Sequence, residues 1–292
     1  MYSDTTASAN DLQELALLGV ERIRILERTW SRFIPTSELS RLNAHSSGQW
    51  ITVSNDLLEL VSAMKAGFDM TDGAFDPTVY DSLINLGYTR DIDSLQWLGS
   101  YSPTGEPAPG LEGLDIDVSR QAIRLPSGVH LDPGGIGKGL AADIVGQELL
   151  DTGISGALVD IGGDLSLSGT IPGRDQWHID VSPRTHQARS LSLPASSDSH
   201  LVVATSGLKT RQWGEYLFHV VDPRSGLSAT SDASEVTVIA EGAWVAEVCT
   251  KATLLARDPA AFLQSIPCVG GLIFWQDGST YQSITEPNVV VT

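Results

Sequence analysis

The chain has 292 residues, and its 36 acidic against 18 basic side chains give a formal net charge of −18. This charge opposes a nucleic-acid backbone or an anionic lipid surface as the main partner. Hydrophobic residues make up 41% of the chain, which is ample for a core and excludes global disorder. No apolar run reaches the roughly 18 residues that a membrane-spanning helix needs.

The cysteine and histidine patterns exclude two further classes of protein. Cys249 and Cys268 are too few for a disulfide framework, and neither belongs to a CxxC pair. The six histidines show no HxH or HExxH spacing, which argues against a zinc site. Residues 1–10 are polar and lack the charged-then-apolar pattern of a secretion signal, so we expect a cytoplasmic protein. An exported or membrane-anchored protein is the alternative, if an upstream signal was removed.

Helical patterns dominate the first part of the chain. Apolar and small residues recur at steps of three and four over residues 12–33 and predict a first helix, with Leu15 and Leu18 widening its buried face. A polar loop is expected over residues 35–41. A second helix is expected to begin near Ser54 and to bury Leu57, Val61, Met64 and Phe68.

The middle of the chain is rich in turn signals. Glycine, proline and serine over residues 99–113 indicate an excursion or subdomain connection. Residues 122–131 predict a hairpin with its turn at residues 126–128. A glycine cluster then leads into a helix over about residues 140–150.

Short strands follow, interrupted by one helix over about residues 243–256. The serine-rich residues 184–200 predict a long surface loop. Helices followed by strands favour an α+β fold with a mainly antiparallel sheet. The strands are expected at residues 157–161, 177–181, 201–205, 217–221, 236–239 and 271–275.

The most unusual motif joins a predicted strand to a predicted helix and reads Asp132-Pro-Gly-Gly-Ile-Gly-Lys-Gly139. Glycines let the backbone approach a ligand closely, and free N–H groups at a helix start attract phosphate. Gly139 stands where a Walker loop needs Ser or Thr, and the GxGxxG fingerprint is absent. From the local pattern, a phosphate-binding loop and a plain glycine-rich turn are equally open.

Three further motifs each have a structural and a functional interpretation. Asp160-Ile-Gly-Gly-Asp164 predicts a tight turn, although two carboxylates there could also approach a hydroxyl or a metal. In residues 73–78, Asp76 before a proline either ends a loop or positions a flat heterocycle. His219, three residues before Asp222, is either a half-buried strand histidine or a general acid or base.

The last predicted helix carries a fourth such motif. Glu247 and Thr250 share one helix face and could hold a hard cation, or simply face solvent. The neighbouring Lys251 would weaken a cation site by repulsion.

Taken in order, these motifs resemble the block series of the ApbE family, whose members are FAD:protein FMN transferases. The resemblance runs from about residue 30 to residue 256. The blocks that carry it are residues 37–43 (SELSRLN), 73–78 (GAFDPT), 132–139 (DPGGIGKG), 160–164 (DIGGD), 204–207 (ATSG) and 219–226 (HVVDPRSG).

The resemblance implies a T-fold-like α+β arrangement and one domain over residues 1–292, with a possible smaller subdomain at about residues 80–125. It implies an enzyme that takes FMN from FAD, releases AMP and attaches FMN to a Thr or Ser of an acceptor flavoprotein, with Mg²⁺. The alternatives are an FAD pyrophosphatase on the same fold and a non-catalytic FAD-binding protein.

The resemblance also implies roles for residues at matched positions. His219 is expected to be catalytic, and the Gly135 carbonyl, Glu247 and Thr250 are expected to hold the metal. The positions expected to contact FAD are Phe33, Ala74, Phe75, Asp76, Asp132, Lys138 and Val221.

Three positions depart from the family pattern. The Met-Gly-Thr strand that usually precedes the first helix is not found in residues 1–10. The terminal metal motif usually reads Ala-Asp with Thr four residues later, whereas this chain has Glu247 and Lys251 at those positions. Asp160 stands where Asn is common. At this motif, Lys251 is expected either to replace part of the metal's charge or to abolish the metal site.

Overall fold

A computed structural model describes residues 9–90, 105–213 and 217–292. Their packing forms two compact units. The first unit contains the described residues up to Arg24, together with Lys138–Gly207 and Asp232–Thr292. The second contains the described residues of Ile25–Gly137 and Leu208–Ser231. The expected single domain with a smaller subdomain stays a prediction.

Seven helices lie in the described residues. The helices are α1 (Ala9–Trp30), α2 (Glu38–Ala44), α3 (Asn55–Met70), α4 (Tyr80–Asn85), α5 (Gly137–Asp151), α6 (Ala243–Leu255) and α7 (Pro259–Ser265). The predicted start of α3 is confirmed, because the Ser54 side chain caps it by accepting a hydrogen bond from the Leu57 N–H.

The first unit is built on a six-stranded antiparallel sheet in the order β15-β14-β13-β8-β5-β4. Helix α6 packs against the central strands β8 and β13. The strands are β4 (Gly156–Ile161), β5 (Asp164–Gly169), β8 (His200–Gly207), β13 (Ala233–Ala240), β14 (Gly270–Trp275) and β15 (Thr280–Ile284). Burial of α6 on this sheet explains why ten of its thirteen residues are buried.

A second sheet of the first unit contains three strands in the order β16-β7-β6. These strands are β6 (Gln176–Val181), β7 (Arg189–Pro194) and β16 (Val290–Val291). Apolar side chains of β6 and β7 join the core beneath the large sheet, including Trp177, Leu191 and Leu193. Alternation of buried and exposed residues along β6 is the pattern of a sheet with one covered face.

The second unit combines α2, α3 and α4 with small antiparallel sheets. Strand β3 (Ala122–Arg124) lies between β1 (Trp50–Thr52) and β2 (Asp115–Asp117). Two two-stranded ribbons complete the unit. They pair β9 (Gln212–Trp213) with β10 (Leu217–Phe218), and β11 (Val221–Asp222) with β12 (Leu227–Ser228).

Two predictions at the start of the chain are wrong. The first helix ends at Trp30, so Phe33 lies beyond it, and Leu18 is 63% exposed and does not widen the buried face. Residues 35–41 are not all loop, because α2 begins at Glu38. Ser37 caps this helix by accepting a hydrogen bond from the Ser40 N–H. A serine at this position is a helix-start signal in the sequence, but the polar composition of the segment led to the prediction of a loop.

Two later predictions are also corrected. Residues 122–131 do not form a hairpin by themselves, because β3 pairs with β1 and β2 and the chain beyond it turns without a return strand. The expected surface loop over residues 184–200 contains β7, whose Leu191 and Leu193 are fully buried. Of the turn-rich residues 99–113, residues 99–104 lie outside the described residues.

The other predicted helices and most predicted strands are confirmed, within one to three residues at their ends. The predicted strand at residues 217–221 is divided between β10 and β11. Every strand pair in the described ranges is antiparallel, so the predicted α+β class with a mainly antiparallel sheet is confirmed. No helix among the described residues is long and apolar enough to cross a membrane.

Gly139 allows the first turn of α5 to lie directly against the start of α6. A Cβ atom added at Gly139 would lie 2.5 Å from the Ala243 carbonyl oxygen, which is backbone and cannot move aside. We therefore expect Gly139→Ala to lower the free energy of unfolding by about 1–3 kcal/mol. The control is Gly137→Ala, whose Cβ would meet only an ordinary contact at 3.5 Å. Equal denaturant midpoints for the two variants would contradict this account.

Candidate functional site

Three of the sequence blocks converge on Leu131 and Asp132 in the second unit. The buried Asn43 side chain donates to the Leu131 carbonyl at 2.9 Å and accepts from the Leu131 N–H at 2.9 Å. The Asp132 N–H donates to the Pro77 carbonyl at 2.7 Å. Blocks 37–43, 73–78 and 132–139 are therefore linked through hydrogen bonds that hold the start of the glycine loop.

Asp132 is itself held by a buried arginine that the sequence reasoning missed. Arg32 Nε lies 2.6 Å from Asp132 Oδ2, and the two side chains are only 5% and 6% exposed. Asp132 Oδ1 accepts a hydrogen bond from the Gly134 N–H at 2.8 Å. The buried charge pair fixes the Asp132 carboxylate at the first glycine of the loop.

Aromatic rings surround the Arg32 guanidinium. Its central carbon lies 4.2 Å from the Phe33 ring centroid and 4.6 Å from that of Tyr88. Tyr88 stacks in turn on Trp213 with centroids 4.9 Å apart. Arginine on aromatic faces is a favourable cation–π arrangement, and it leaves the Phe33 ring packed inside the second unit. The signal in the sequence was an arginine between Trp30 and Phe33, which an analysis of apolar spacing does not consider.

The block at residues 73–78 forms a turn built on Asp76. The buried Asp76 carboxylate accepts hydrogen bonds from the Thr78 N–H at 2.8 Å and from the Thr78 hydroxyl at 2.6 Å. Burial raises the pKa of Asp76, and the two Thr78 hydrogen bonds oppose that rise. Phe75 is buried, whereas Ala74 is half-buried. Their expected contacts with FAD stay predictions.

His219 follows β10 in the second unit and is half-buried. Its Nδ1 lies 3.3 Å from the Arg211 carbonyl oxygen, which can only accept a hydrogen bond. In the neutral ring, Nδ1 therefore carries the proton and Nε2 carries the lone pair, as a general base requires. Val221 lies two residues further on, and its side chain packs with Tyr88 and Trp213 in the core of the unit.

The first unit contains a cluster of two buried carboxylates and two partly buried ammonium groups. Glu247 Oε1 lies 2.9 Å from Lys251 Nζ and 3.4 Å from Lys138 Nζ, and Glu247 Oε2 accepts a hydrogen bond from the Gly139 N–H at 2.8 Å. Lys138 also pairs closely with Asp164. The side chains of Glu247 and Asp164 are 0% and 1% exposed. We call these four charged residues the lysine–carboxylate cluster.

Burial and pairing act in opposite directions on the groups of this cluster. Burial raises the pKa of Asp164, and the Glu247 charge adds to that rise against the two lysines. Burial also disfavours the Glu247 anion, but Lys138, Lys251 and the Gly139 N–H outweigh it and lower the pKa of Glu247. Burial lowers the pKa of Lys251, and the negative charge of Glu247 opposes that decrease. The pairing favours the ionised form of Glu247 although its side chain is fully buried.

The two aspartates of residues 160–164 have separate environments. They border the two-residue turn of the β4–β5 hairpin, in which Gly162 and Gly163 both have positive φ. Asp160 is exposed and accepts a hydrogen bond from the Gly163 N–H at 2.9 Å, as a turn aspartate does. Asp164 is buried in the lysine–carboxylate cluster. The predicted tight turn is therefore confirmed, and of its two aspartates Asp164 belongs to a charged site.

The residues expected to hold Mg²⁺ do not fit a divalent ion in this arrangement. Glu247 is engaged through both carboxylate oxygens, and the Thr250 hydroxyl donates to the Glu247 carbonyl at 2.7 Å and lies 2.7 Å from the Ser206 hydroxyl. Gly135 lies in the turn before α5. In the described ranges, no three His, Cys, Asp or Glu side chains are grouped so that they could hold a metal.

A serine, a histidine and an aspartate meet elsewhere in the first unit without forming a catalytic triad. His200 Nε2 lies 2.9 Å from Asp143 Oδ1 and 3.2 Å from the Ser166 hydroxyl, so one nitrogen meets both groups. A triad needs the two ring nitrogens to serve the base and orienting roles separately. Asp143 Oδ2 instead accepts from the Ala243 N–H at the start of α6.

Burial raises the pKa of the Cys249 thiol to about 12, so this cysteine is unreactive.

The His200–Asp143 pair predicts a pH-dependent stability. The hydrogen bond that the His200 ring donates to Asp143 raises the pKa of His200 despite burial, with the charges of Asp143 and Glu241 adding to that rise. This stabilisation is complete below the ordinary histidine pKa of about 6.5 and is lost as the pH rises through the raised value. His200 is 40% exposed, so the loss is expected to stay below about 1 kcal/mol. The melting temperature of His200→Gln should therefore fall less than that of the wild type as the pH rises through this range. An equal dependence of melting temperature on pH for the two proteins would contradict the assignment.

Comparison with known proteins places this α+β chain in an enzyme class. A model of the ApbE family matches residues 4–267. The FAD:protein FMN transferase of Vibrio cholerae is 27% identical over 242 residues, which cover 79% of this chain and 70% of that relative. The enzyme of the same name from Salmonella typhimurium is 30% identical over 227 residues, covering 72% and 62%. These names are those of an enzyme, in agreement with the prediction that this chain is one.

Solved structures support the same placement. The crystal structure of the ApbE protein from Thermotoga maritima aligns with a TM-score of 0.82 at 26% identity, covering 95% of this chain and 91% of that one. The flavin transferase ApbE from Vibrio cholerae, at 22% identity and a TM-score of 0.75, supports the fold alone. The chain belongs to the ApbE family. The predicted family and fold are thereby confirmed.

Proposed function

We propose that this protein transfers FMN from FAD to a Thr or Ser hydroxyl of an acceptor flavoprotein and releases AMP. The observation that carries the proposal is the match to the ApbE family over residues 4–267, whose curated relatives are named FAD:protein FMN transferases. The contact of His219 Nδ1 with the Arg211 carbonyl adds support, because it favours the tautomer in which Nε2 can act as a base, and the reaction needs a base at the attacking hydroxyl.

In the proposed reaction, the acceptor hydroxyl oxygen forms a bond to the phosphorus atom of the FMN half of FAD. The bond from that phosphorus to the bridging oxygen breaks, and AMP leaves with the oxygen and the bonding electron pair. The hydroxyl proton passes to His219 Nε2. Such a transfer depends on positioning and on neutralising the charge that moves onto the leaving phosphate.

The proposal assigns FAD contacts to Phe33, Asp132, Lys138 and Val221 and to the turn at residues 74–76. In the second unit, the Arg32–Asp132 pair and the Asn43 clamp would hold the glycine loop in place for the ligand. Lys138 would supply positive charge from the first turn of α5. No step is assigned to magnesium, because Glu247 and Thr250 do not fit it.

The experiment that tests the proposal is chromatographic detection of AMP released from FAD, with and without a peptide carrying a Thr acceptor. Release that depends on the peptide is expected. Release at the same rate without the peptide would identify an FAD pyrophosphatase instead. Bound FAD without AMP release in either case would identify an FAD-binding protein.

A further inference from the structure

The lysine–carboxylate cluster contains a second ammonium group that the proposed reaction has not used. Lys251 lies one helical turn after Glu247, and its side chain is 13% exposed. Its Nζ lies 2.9 Å from Glu247 Oε1 and 3.3 Å from the Glu247 carbonyl oxygen. Lys251 thus occupies the oxygen-lined position where a hard cation would contact this helix.

Both ligands that α6 could offer a metal are already satisfied. The two Glu247 oxygens accept from Lys251 and from the Gly139 N–H, and Lys138 approaches the first of them to 3.4 Å. The Thr250 hydroxyl proton is directed to the Glu247 carbonyl oxygen. A metal ion would have to break several of these contacts at a carboxylate that is fully buried, where each lost polar contact is costly.

The formal charge of the cluster also opposes the binding of a metal ion. Lys138 and Lys251 against Asp164 and Glu247 give the cluster a formal charge of zero. A divalent cation placed beside the two buried carboxylates would add two positive charges without adding an anion. Uncompensated charge in a buried site is strongly unfavourable, so the cluster excludes the ion unless a lysine leaves.

We propose that the ammonium groups of Lys251 and Lys138 take the place of a divalent cation at Glu247, so that this protein acts on FAD without magnesium. The part that concerns FAD rests on the proposed function. The part that concerns metal binding stands on the cluster alone. The two ammonium groups carry together the formal charge of a divalent cation and balance the Asp164 and Glu247 carboxylates in its place.

The first test measures binding of Mn²⁺, as a paramagnetic probe for Mg²⁺, by electron paramagnetic resonance without FAD. We expect no Mn²⁺ site at Glu247 in the wild type. Lys251→Thr removes the ammonium group and adds an oxygen donor, so it should bind Mn²⁺ about tenfold or more tightly than the wild type. Lys65→Thr, at an exposed lysine of α3, is the matched control and should bind like the wild type.

Two outcomes of this test would overturn the proposal. One is stoichiometric Mn²⁺ binding by the wild type that Glu247→Gln abolishes. The other is a Lys251→Thr variant that melts cooperatively, as a folded protein does, and still binds no Mn²⁺. The first outcome would mean that the cluster does not exclude the metal, and the second would mean that Lys251 is not what excludes it.

The second test measures AMP release from FAD in EDTA and in Mg²⁺. We expect equal rates, and a rate that EDTA abolishes and Mg²⁺ restores would overturn the proposal. Absence of AMP release in both conditions would count against the proposed function, while the Mn²⁺ measurements would still decide the metal question. The two failures are therefore distinguishable.

Discussion

Replacement of His219 by alanine is expected to lower the rate of FMN transfer by a factor of about 10²–10⁴, with FAD binding retained. The reason is that His219 Nδ1 donates to the Arg211 carbonyl, and in this tautomer Nε2 is the ring atom that can accept the hydroxyl proton. Single-turnover transfer to an acceptor peptide measures the rate. Fluorescence titration with FAD measures binding.

The matched control for this variant is His178→Ala. His178 is exposed on β6, and its ring contacts only the Ser192 hydroxyl among its described hydrogen-bond partners. It should transfer FMN at the wild-type rate. Full transfer by His219→Ala would show that another group takes the proton, and loss of FAD binding together with transfer would show that His219 holds the substrate.

Arg32→Ala is expected to destabilise the protein by about 3–5 kcal/mol, because it leaves the Asp132 carboxylate buried without its charge partner. The loss also removes the cation–π contacts with Phe33 and Tyr88. Chemical denaturation measures the effect. The magnitude follows from burial, since the two side chains of the pair are 5% and 6% exposed.

Lys65→Ala provides the comparison in the same unit. Lys65 pairs with Asp69 one helical turn away at 2.7 Å, but both side chains are well exposed. Its removal should cost about 0.5 kcal/mol or less. Comparable losses for Arg32→Ala and Lys65→Ala would mean that the buried pair does not hold the glycine loop.

Local signals in the sequence predicted the elements whose residues follow one strong pattern. The Ser54 cap and the apolar spacing of residues 57–64 were sufficient for α3, because both act within a few residues. Strand β7 was missed because its polar residues alternate with Leu191 and Leu193, and a serine-rich segment conceals a strand with one buried face.

In the candidate sites, too, the parts formed by neighbouring residues were predicted, and the contacts between distant residues were not. The glycine motifs and His219 could be recognised in the sequence, since each belongs to a short run of neighbouring residues. The partnership of Arg32 with Asp132 joins residues a hundred positions apart, and nothing local specifies it. Lys251 was visible as a departure from the family pattern, but its position on Glu247 required the α6 helix and its packing against Gly139.

Covalent attachment of flavin to the acceptor tests the central claim most directly. The purified protein is incubated with FAD and an acceptor domain that carries a Thr motif, and in parallel with the same domain bearing Val at that position. The account predicts flavin fluorescence on the Thr domain after denaturing electrophoresis and none on the Val domain. Free FMN with both domains left unlabelled would contradict it.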